Sequence, residues 1–230
     1  MRLIGLLGGL GWETSSLYYR LLNEFTQRHL GEGQAARILL HSVNNGAFNK
    51  GDGDQVISVL SAAGRSLKEG GAEFMVLASN SMHRYAEEIE QGSGLELLHI
   101  ADAVGAEIRQ AKHRTVALLG TRRTMEGNFY PERLHKHASA KVITPDLNER
   151  VEVDRVIHEE LARGVMRTGS REFIGDLIRK LCDGGAEAVV LGCSELTSIV
   201  TPAPGAIPFY DTTRLHAEAA VKRALEVTYA

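Results

Sequence analysis

One cysteine follows an apolar run in the sequence AEAVVLGCSE, which covers residues 186–195. The run follows two glycines and is typical of a strand in a parallel sheet that is covered on both faces. Ligands of open parallel sheets bind beyond the carboxyl ends of the strands, which is where this pattern places Cys193. A thiol suits acid–base chemistry because its ordinary pKa of about 8.5 is easily lowered by nearby positive charge or helix termini. The pattern therefore predicts Cys193 as an acid–base group at a strand end.

A second strand end shows the same pattern earlier in the chain. Residues 70–81 (GGAEFMVLASNS) align without a gap with residues 184–195, and Ser79 falls on Cys193. Two such halves facing each other would put these side chains on opposite walls of one cleft. Moving a proton from one face of a carbon atom to the other needs one acid–base group on each side. The pair therefore predicts proton transfer at a single carbon atom.

The duplication also includes the first strand of each half, because residues 4–18 align with residues 116–130. The sequence thus predicts an α/β fold of two pseudo-symmetric domains, each a mainly parallel sheet flanked by helices, with the active site in the cleft between them. One domain is expected at 1–98 plus 208–230, and the other at 99–207. Strands are predicted at 3–8, 36–43, within 70–81, 95–100, 115–121, 141–145, within 186–196 and 207–210. Helices are predicted at 12–29 with Thr14 or Ser15 as N-cap, 55–69, 101–112, 150–163, 170–183, and from an Asp211 cap to 228.

Composition narrows the class of protein. The chain has 230 residues, 43% hydrophobic and 24% charged, and a net charge of -3, which is ordinary for a globular protein. It has no basic block and no long uncharged apolar stretch, so nucleic acid and membranes are not expected partners. Its two cysteines form no disulfide framework, and no leader is recognised, so a cytoplasmic location is predicted. No metal-ligand spacing is present, and the glycine turn at 8–11 does not have the spacing of a dinucleotide motif.

Four segments resemble the signature segments of the aspartate/glutamate racemase family, and the resemblance covers essentially the whole chain. They are GGLGWE at 8–13, SNSMH at 79–83, LGCSEL at 191–196 and YDTTRLHA at 210–217. The resemblance implies a cofactor-independent amino-acid racemase with one catalytic cysteine from each of two α/β domains, and it suggests a homodimer. The usual first segment is Cys-Asn-Thr-x-His, so Ser79 stands where the first cysteine belongs. The sequence looks closest to the broad-specificity or L-aspartate/L-glutamate-specific subgroup, in which a threonine can take that place.

The resemblance also implies the roles of the two strand ends. Cys193 would take the α-proton of an L-amino acid, and Ser79 would return a proton on the opposite face, directly or through water. A serine hydroxyl is a much weaker acid than a thiol and a poor base without an activating neighbour. The expected activity is therefore an L-preferring, slow racemisation of aspartate or glutamate.

Other polar residues near these strand ends are candidates for binding the substrate. Asn80, Ser81, Ser194 and the turn at Gly9 would bind the α-carboxylate and so stabilise an enolate-like transition state. Thr121 and Thr124 occupy the equivalent turn of the second half. Glu195 would orient Cys193 or hold the ammonium group. Lys50 is the cation nearest to the loop position where aspartate racemases carry an arginine for the side-chain carboxylate, and His83 is expected to be a supporting residue rather than a base.

Two other classes of function remain open from the sequence. A single-thiol decarboxylase or isomerase of the same superfamily would need only Cys193 to protonate an enediolate. A catalytically impaired amino-acid-binding protein would have Ser79 as its lesion. Hydrogen exchange at the α-carbon separates the binding protein from both enzymes.

Overall fold

The computed structural model describes residues 1–46, 52–200 and 207–226, and the chain divides into two compact units. Unit 1 comprises Met1–Ile100 and the chain from His216 onward, and unit 2 comprises Ala101–Leu215. The sequence-based domains have their crossings at 98–99 and 207–208. In the structure the second junction lies inside the last helix.

Unit 1 is a four-stranded parallel sheet with helices against it. Its strands are β1 (Ile4–Gly8), β2 (Ile38–Ser42), β3 (Phe74–Leu77) and β4 (Leu97–Leu98), in the order β2-β1-β3-β4. All residues of β1 and β3 are buried, which is why their sequences are continuously apolar. The helices are α1 (Trp12–Leu30), α2 (Gly53–Glu69) and α3 (Ala86–Ser93), and a 3-10 turn, Ser81–Tyr85, precedes α3.

Unit 2 repeats this architecture. Its strands are β5 (Thr115–Gly120), β6 (Lys141–Ile143), β7 (Ala188–Gly192) and β8 (Phe209–Asp211), in the parallel order β6-β5-β7-β8. The helices are α4 (Ile100–Ala111), α5 (Arg122–Met125), α6 (Phe129–Ala138), α7 (Leu147–Arg155), α8 (Thr168–Asp183) and α9 (Leu196–Ile199). Helix α10 (Thr212–Leu225) begins in unit 2 and continues into unit 1. The predicted α/β class and the two parallel sheets flanked by helices are confirmed.

The last helix continues from unit 2 into unit 1. Ala217, Ala220, Val221 and Ala224 are fully buried in the same core cluster as Tyr18 of α1. Small side chains there let the helix pack closely on its neighbours. Asp211 caps the helix, because its Oδ1 accepts a hydrogen bond of 3.0 Å from the Arg214 N–H.

One local prediction is wrong, and a second is nearly correct in its extent but not in the type of helix. Helix α1 begins at Trp12 after Gly11 without a side-chain cap, so neither Thr14 nor Ser15 is its N-cap. The Ser15 hydroxyl instead accepts from the Gly9 N–H at 2.8 Å and donates to the Gly11 carbonyl at 3.0 Å. This is possible because the backbone at Gly9, with φ at 87°, turns the chain directly into the helix.

The predicted helix at 150–163 is not a uniform α-helix. Helix α7 begins earlier, after a capping box formed by Asp146 and Glu149, and continues into a π-helical turn, Val156–Glu160, and a 3-10 turn. The Glu160 carboxylate at the end of the π-helical turn is only 1% exposed. It accepts from Arg155 at 2.8 Å and from the Ser170 hydroxyl at 2.7 Å, which joins this segment to α8. The buried carboxylate and its partners therefore lie at the end of the π-helical turn, where the irregular segment is tied to the next helix.

Among the residues with a described structure, no helix is both long enough and apolar enough to cross a bilayer.

Candidate active site

The carboxyl end of β7 presents Cys193 to a carboxylate. Cys193 directly follows the last strand residue, Gly192, and is 8% exposed. Its Sγ–H donates to Glu195 Oε2 at 2.8 Å, and the Ser194 hydroxyl donates to the same oxygen at 2.9 Å. The Cys193 carbonyl accepts from the Leu196 N–H at 3.3 Å as α9 begins. The sequence-predicted residues Cys193, Ser194 and Glu195 therefore form one hydrogen-bonded group.

The surroundings of this thiol favour its protonated form. Burial raises the pKa of Cys193 well above its usual value, and the negative charges of Glu195 and Asp154 raise the pKa further. The expected lowering of the thiol pKa by positive charge is therefore wrong, because the charged groups that shift this pKa are acidic and burial acts in the same direction. Cys193 is a thiol at neutral pH, and its proton points to the carboxylate of Glu195, which can accept it.

The neighbouring strand end in unit 2 supplies two threonines. Gly120 of β5 pairs with Gly192 of β7, and a Cβ atom at Gly192 would lie 3.0 Å from Thr124 Cγ2. Thr124 is 1% exposed, and its hydroxyl lies 3.1 Å from that of Thr121. The structure therefore brings Thr121 and Thr124 to the strand ends that carry Cys193.

Asp154 is a group at this site that the sequence analysis missed. Its Oδ1 accepts a hydrogen bond of 2.7 Å from the Arg122 N–H, at the start of α5. His158 lies in the π-helical turn, and its Nε2 is 3.6 Å from the same oxygen. No local pattern marks Asp154, because an acidic residue in a polar helix is ordinary and only packing brings it near the thiol.

The carboxyl end of β3 presents Ser79 in a different environment. Ser79, Asn80 and Ser81 are all half-buried. The Ser79 N–H donates to the Leu77 carbonyl at 2.9 Å, and the Ser79 carbonyl accepts from His83 Nδ1 at 2.8 Å. Within the described ranges, no carboxylate or ring nitrogen is hydrogen-bonded to the Ser79 hydroxyl.

The glycine turn after β1 is hydrogen-bonded to helix α1 and packs against the backbone that follows β2. The Gly9 N–H is engaged with Ser15, and a Cβ atom at Gly9 would collide with the Val43 carbonyl oxygen. The close packing explains why glycine is required at this position. Lys50 lies outside the described residues.

A buried group of ring side chains lies behind the Ser79 strand end, and the sequence analysis recognised only one of its members, His83. His83, His99 and His216 are at most 3% exposed, and Tyr18 is 1% exposed. Burial lowers the pKa of His216 to about 4, so this imidazole is neutral at physiological pH. Tyr18 could have been found from the sequence, because it ends the repeated segment 4–18 and aligns with Tyr130 at the end of 116–130. Both tyrosines are buried in the structure.

Among the described residues, no group of three His, Cys, Asp or Glu side chains has an arrangement that could hold a metal ion.

Comparison with known proteins agrees with this architecture. A profile of the family described as Asp/Glu/Hydantoin racemase matches residues 7–220. A crystal structure of a candidate Asp/Glu racemase from Yersinia pestis has 41% sequence identity and a TM-score of 0.92, covering 98% of this chain and 100% of that chain. An aspartate racemase homologue from Pyrococcus horikoshii OT3 has 29% identity and a TM-score of 0.86, with the same coverage of 98% and 100%.

A curated relative gives the same result. The broad-specificity amino-acid racemase RacX of Bacillus subtilis (strain 168) is 21% identical over 230 residues, which cover 95% of this chain and 96% of that protein. The family and these structures support an amino-acid racemase, which is an isomerase. The match over nearly the full length, together with the two parallel sheets, shows that this chain belongs to the Asp/Glu/hydantoin racemase family.

Proposed function

We propose that this protein racemises acidic amino acids, aspartate or glutamate, without a cofactor, and that it prefers the L-enantiomer. The observation that carries the proposal is the 2.8 Å hydrogen bond from the Cys193 thiol to the Glu195 carboxylate at a parallel-strand end. The aspartate racemase homologue and the broad-specificity racemase among its relatives support this substrate class.

Cys193 is the proposed base for the L-enantiomer. Glu195 Oε2 takes the thiol proton, and the thiolate then takes the α-proton, so the substrate becomes an enolate-like carbanion. Burial makes the thiolate rare, but a thiolate whose pKa is raised is also a stronger base once formed. The enzyme therefore works with a small population of a reactive form, and we expect slow turnover.

Ser79 is the proposed proton donor on the opposite face of the α-carbon. Its hydroxyl gives a proton to the carbanion, directly or through a water molecule. Glu195 then releases to solvent the proton that it took from Cys193, and solvent reprotonates the serine, so protons and charges balance over the cycle. With no carboxylate bonded to this hydroxyl in the described chain, the reverse reaction lacks the proton acceptor that Glu195 supplies to Cys193. This difference is the reason for the proposed L-preference.

The proposed contacts with the α-carboxylate come from the residues that follow the two reacting groups. They are Asn80, Ser81 and Ser194 and the turn that begins at Gly9, whose own N–H is already bonded to Ser15. The hydroxyls of Thr121 and Thr124 are proposed to make further hydrogen bonds with the substrate. A carboxylate bound by hydrogen-bond donors withdraws electrons from the α-carbon and stabilises the developing negative charge. Lys50 remains the proposed partner of the side-chain carboxylate of the substrate.

The proposal extends to the form of the protein, a cytoplasmic homodimer. It is supported by the family resemblance and by the two free thiols, Cys182 and Cys193, which suit a reducing compartment. Sedimentation at micromolar concentration measures the oligomeric state. A monomeric sedimentation coefficient would contradict the proposed homodimer and would leave the proposed reaction unaffected.

A second candidate function is a single-thiol decarboxylase, and the protonated state of Cys193 favours it. A substrate that loses carbon dioxide leaves an enediolate, which takes the Cys193 proton. Solvent then reprotonates the thiolate, so the atoms and charges balance. Release of carbon dioxide from an α-substituted malonate, with loss of that release in Cys193→Ala, would support this function.

Proton NMR in D2O with L- and D-aspartate and L- and D-glutamate tests the main proposal. Loss of the α-proton signal from an L-substrate with D-product appearing supports racemisation. Exchange of the L-substrate without D-product would show that Cys193 works and that Ser79 does not return a proton. No exchange with any of the four would overturn the proposed substrate class and leave the decarboxylase to be tested.

A further inference from the structure

Both peptide groups that flank Ser79 are hydrogen-bonded. On its amino side, the Ser79 N–H donates to the Leu77 carbonyl at 2.9 Å. On its carboxyl side, the Ser79 carbonyl accepts from His83 Nδ1 at 2.8 Å. These two bonds restrict rotation on either side of the Ser79 Cα and so determine the direction of its Cα–Cβ bond. A side chain, rather than the backbone, supplies the second of them.

His83 is itself held by a second buried histidine. His99 Nε2 lies 3.3 Å from the His83 carbonyl, and the two ring centroids are 4.7 Å apart. A carbonyl oxygen can only accept a hydrogen bond, so each ring nitrogen facing one carries a proton. His83 is thus protonated at Nδ1, and His99 at Nε2.

A third imidazole completes this packing. His216 Nε2 donates to the Leu98 carbonyl at 2.8 Å, and its Nδ1 accepts from the Tyr18 hydroxyl at 2.7 Å. The His216 ring centroid lies 5.4 Å from that of His83. Because the backbone partners of His99 and His216 restrict their rotation, the ring of His83 is confined between two oriented neighbours.

We propose that His83 is a positioning residue for Ser79, which it orients through the Ser79 main-chain carbonyl. This inference rests on the proposed function, because it assigns a role in proton return on the Ser79 face. A proton donor must lie within hydrogen-bond reach of its target, so a small rotation of the backbone at Ser79 would remove it from the reacting carbon.

The equivalent position in unit 2 shows why an imidazole is needed here. The Cys193 carbonyl accepts from a backbone N–H, that of Leu196 at 3.3 Å. Cys193 is also oriented by its own side-chain bond to Glu195. In unit 1 the described chain gives the Ser79 hydroxyl no such carboxylate, so its orientation depends on its backbone. His83 therefore provides an anchor in unit 1 that unit 2 obtains from its backbone and from Glu195.

Three variants of His83 test the proposal. In His83→Asn the amide nitrogen occupies nearly the place of Nδ1, so the bond to the Ser79 carbonyl can form. In His83→Gln the amide reaches the place of Nε2, and in His83→Leu there is no donor. The measured quantities are α-proton exchange of the L-substrate, which Cys193 starts, and appearance of D-product, which needs Ser79.

We expect His83→Leu and His83→Gln to lower D-product formation at least about tenfold, while L-substrate exchange stays within about twofold of wild type. His83→Asn is expected to restore D-product formation to within about threefold of wild type. Equal losses of exchange and of D-product in all three variants would show a merely structural role and overturn the proposal. Unchanged D-product formation in His83→Leu would overturn it as well. If His83→Leu does not fold, the pair of His83→Gln and His83→Asn provides the same comparison.

A measurement independent of activity separates this proposal from the proposed function. Long-range nitrogen–proton NMR of the labelled wild-type protein reports which ring nitrogen of His83 carries the proton. Protonation at Nδ1 supports the anchor even if no substrate is turned over, in which case only the proposed function fails. Protonation at Nε2 alone would remove the bond to Ser79 and overturn the anchor.

Discussion

The two units share a scaffold but differ at the strand end that carries the proposed acid–base group. Their strand orders are the same, and Tyr18 and Tyr130 are buried at equivalent positions. Glu73 and Glu187 are also equivalent, and each carboxylate accepts from the backbone at the start of the neighbouring strand, at Leu3 N at 2.8 Å and at Thr115 N at 3.0 Å. The duplication thus extends to individual hydrogen bonds far from the strand ends.

The strand ends themselves have different partners. Cys193 is buried and its side chain is bonded to a carboxylate, whereas Ser79 is half-buried and bonded through its backbone to an imidazole. One scaffold thus presents two proposed proton-transfer groups of very different strength. Substitutions at one strand end should therefore change the rate of α-proton exchange and the rate of D-product formation to different extents.

The largest effect is expected from Cys193→Ala. Removing the proposed base should lower exchange of the L-substrate α-proton by about 100-fold to 10,000-fold. Proton NMR in D2O measures this rate. The matched control is Cys182→Ala, at the half-buried thiol of α8, which should leave exchange unchanged. Exchange that survives in Cys193→Ala would show that another group is the base.

A gain is expected from Ser79→Cys. A thiol is a far stronger acid than a hydroxyl, so the variant should form D-product about 10-fold to 100-fold faster and should also exchange D-substrates. Ser79→Ala is the control and should lose D-product formation while L-substrate exchange continues. The comparison between the strand ends would fail if Ser79→Cys gave no gain in either direction.

Glu195→Gln should move the pH dependence of L-substrate exchange. The reaction needs the thiolate, and the pKa of Cys193 is raised by burial first and by the charge of Glu195 second. In the variant the thiol loses its proton to solvent instead of to Glu195, so exchange at neutral pH should fall and should rise with pH through the thiol pKa. Removing that charge lowers the thiol pKa, and the rising limb moves to lower pH. Asp154→Asn should shift the limb in the same direction by less. A limb that moves to higher pH in Glu195→Gln would contradict this account.

The smallest effect concerns stability and compares Tyr18→Phe with Tyr130→Phe. Tyr18→Phe leaves the buried His216 Nδ1 without its donor, so a loss of about 1–3 kcal/mol in the free energy of unfolding is expected. Tyr130 shares a hydrogen bond with Thr212, whose hydroxyl also donates to the Leu191 carbonyl at 2.8 Å, so the loss should be about 0.5–1.5 kcal/mol. Urea unfolding measures both. A larger loss of unfolding free energy for Tyr130→Phe than for Tyr18→Phe would show that the hydrogen-bond partner left behind does not determine the loss.

Much of the fold could be predicted because its strands are buried on both faces. β1, β3 and β7 are fully buried, which produces continuous apolar runs, and the aligned repeats identify the two sheets. Helix α3 contains only one large aliphatic residue, Ile89, and α6 carries Pro131 in its first turn, so neither has a strong helical pattern. These short helices were therefore missed.

The sequence by itself determined the parallel α/β architecture, the duplication, and the two strand ends with Ser79 and Cys193, because these depend on local patterns and on their repetition. Only the tertiary structure decided the partners of those groups. Tyr18 meets His216 across 198 residues, and His216 meets Leu98 across 118. Asp154, in helix α7, raises the pKa of the Cys193 thiol at the end of β7. Such pairings follow from how separate elements pack, and no periodicity in the sequence encodes which side chains will meet.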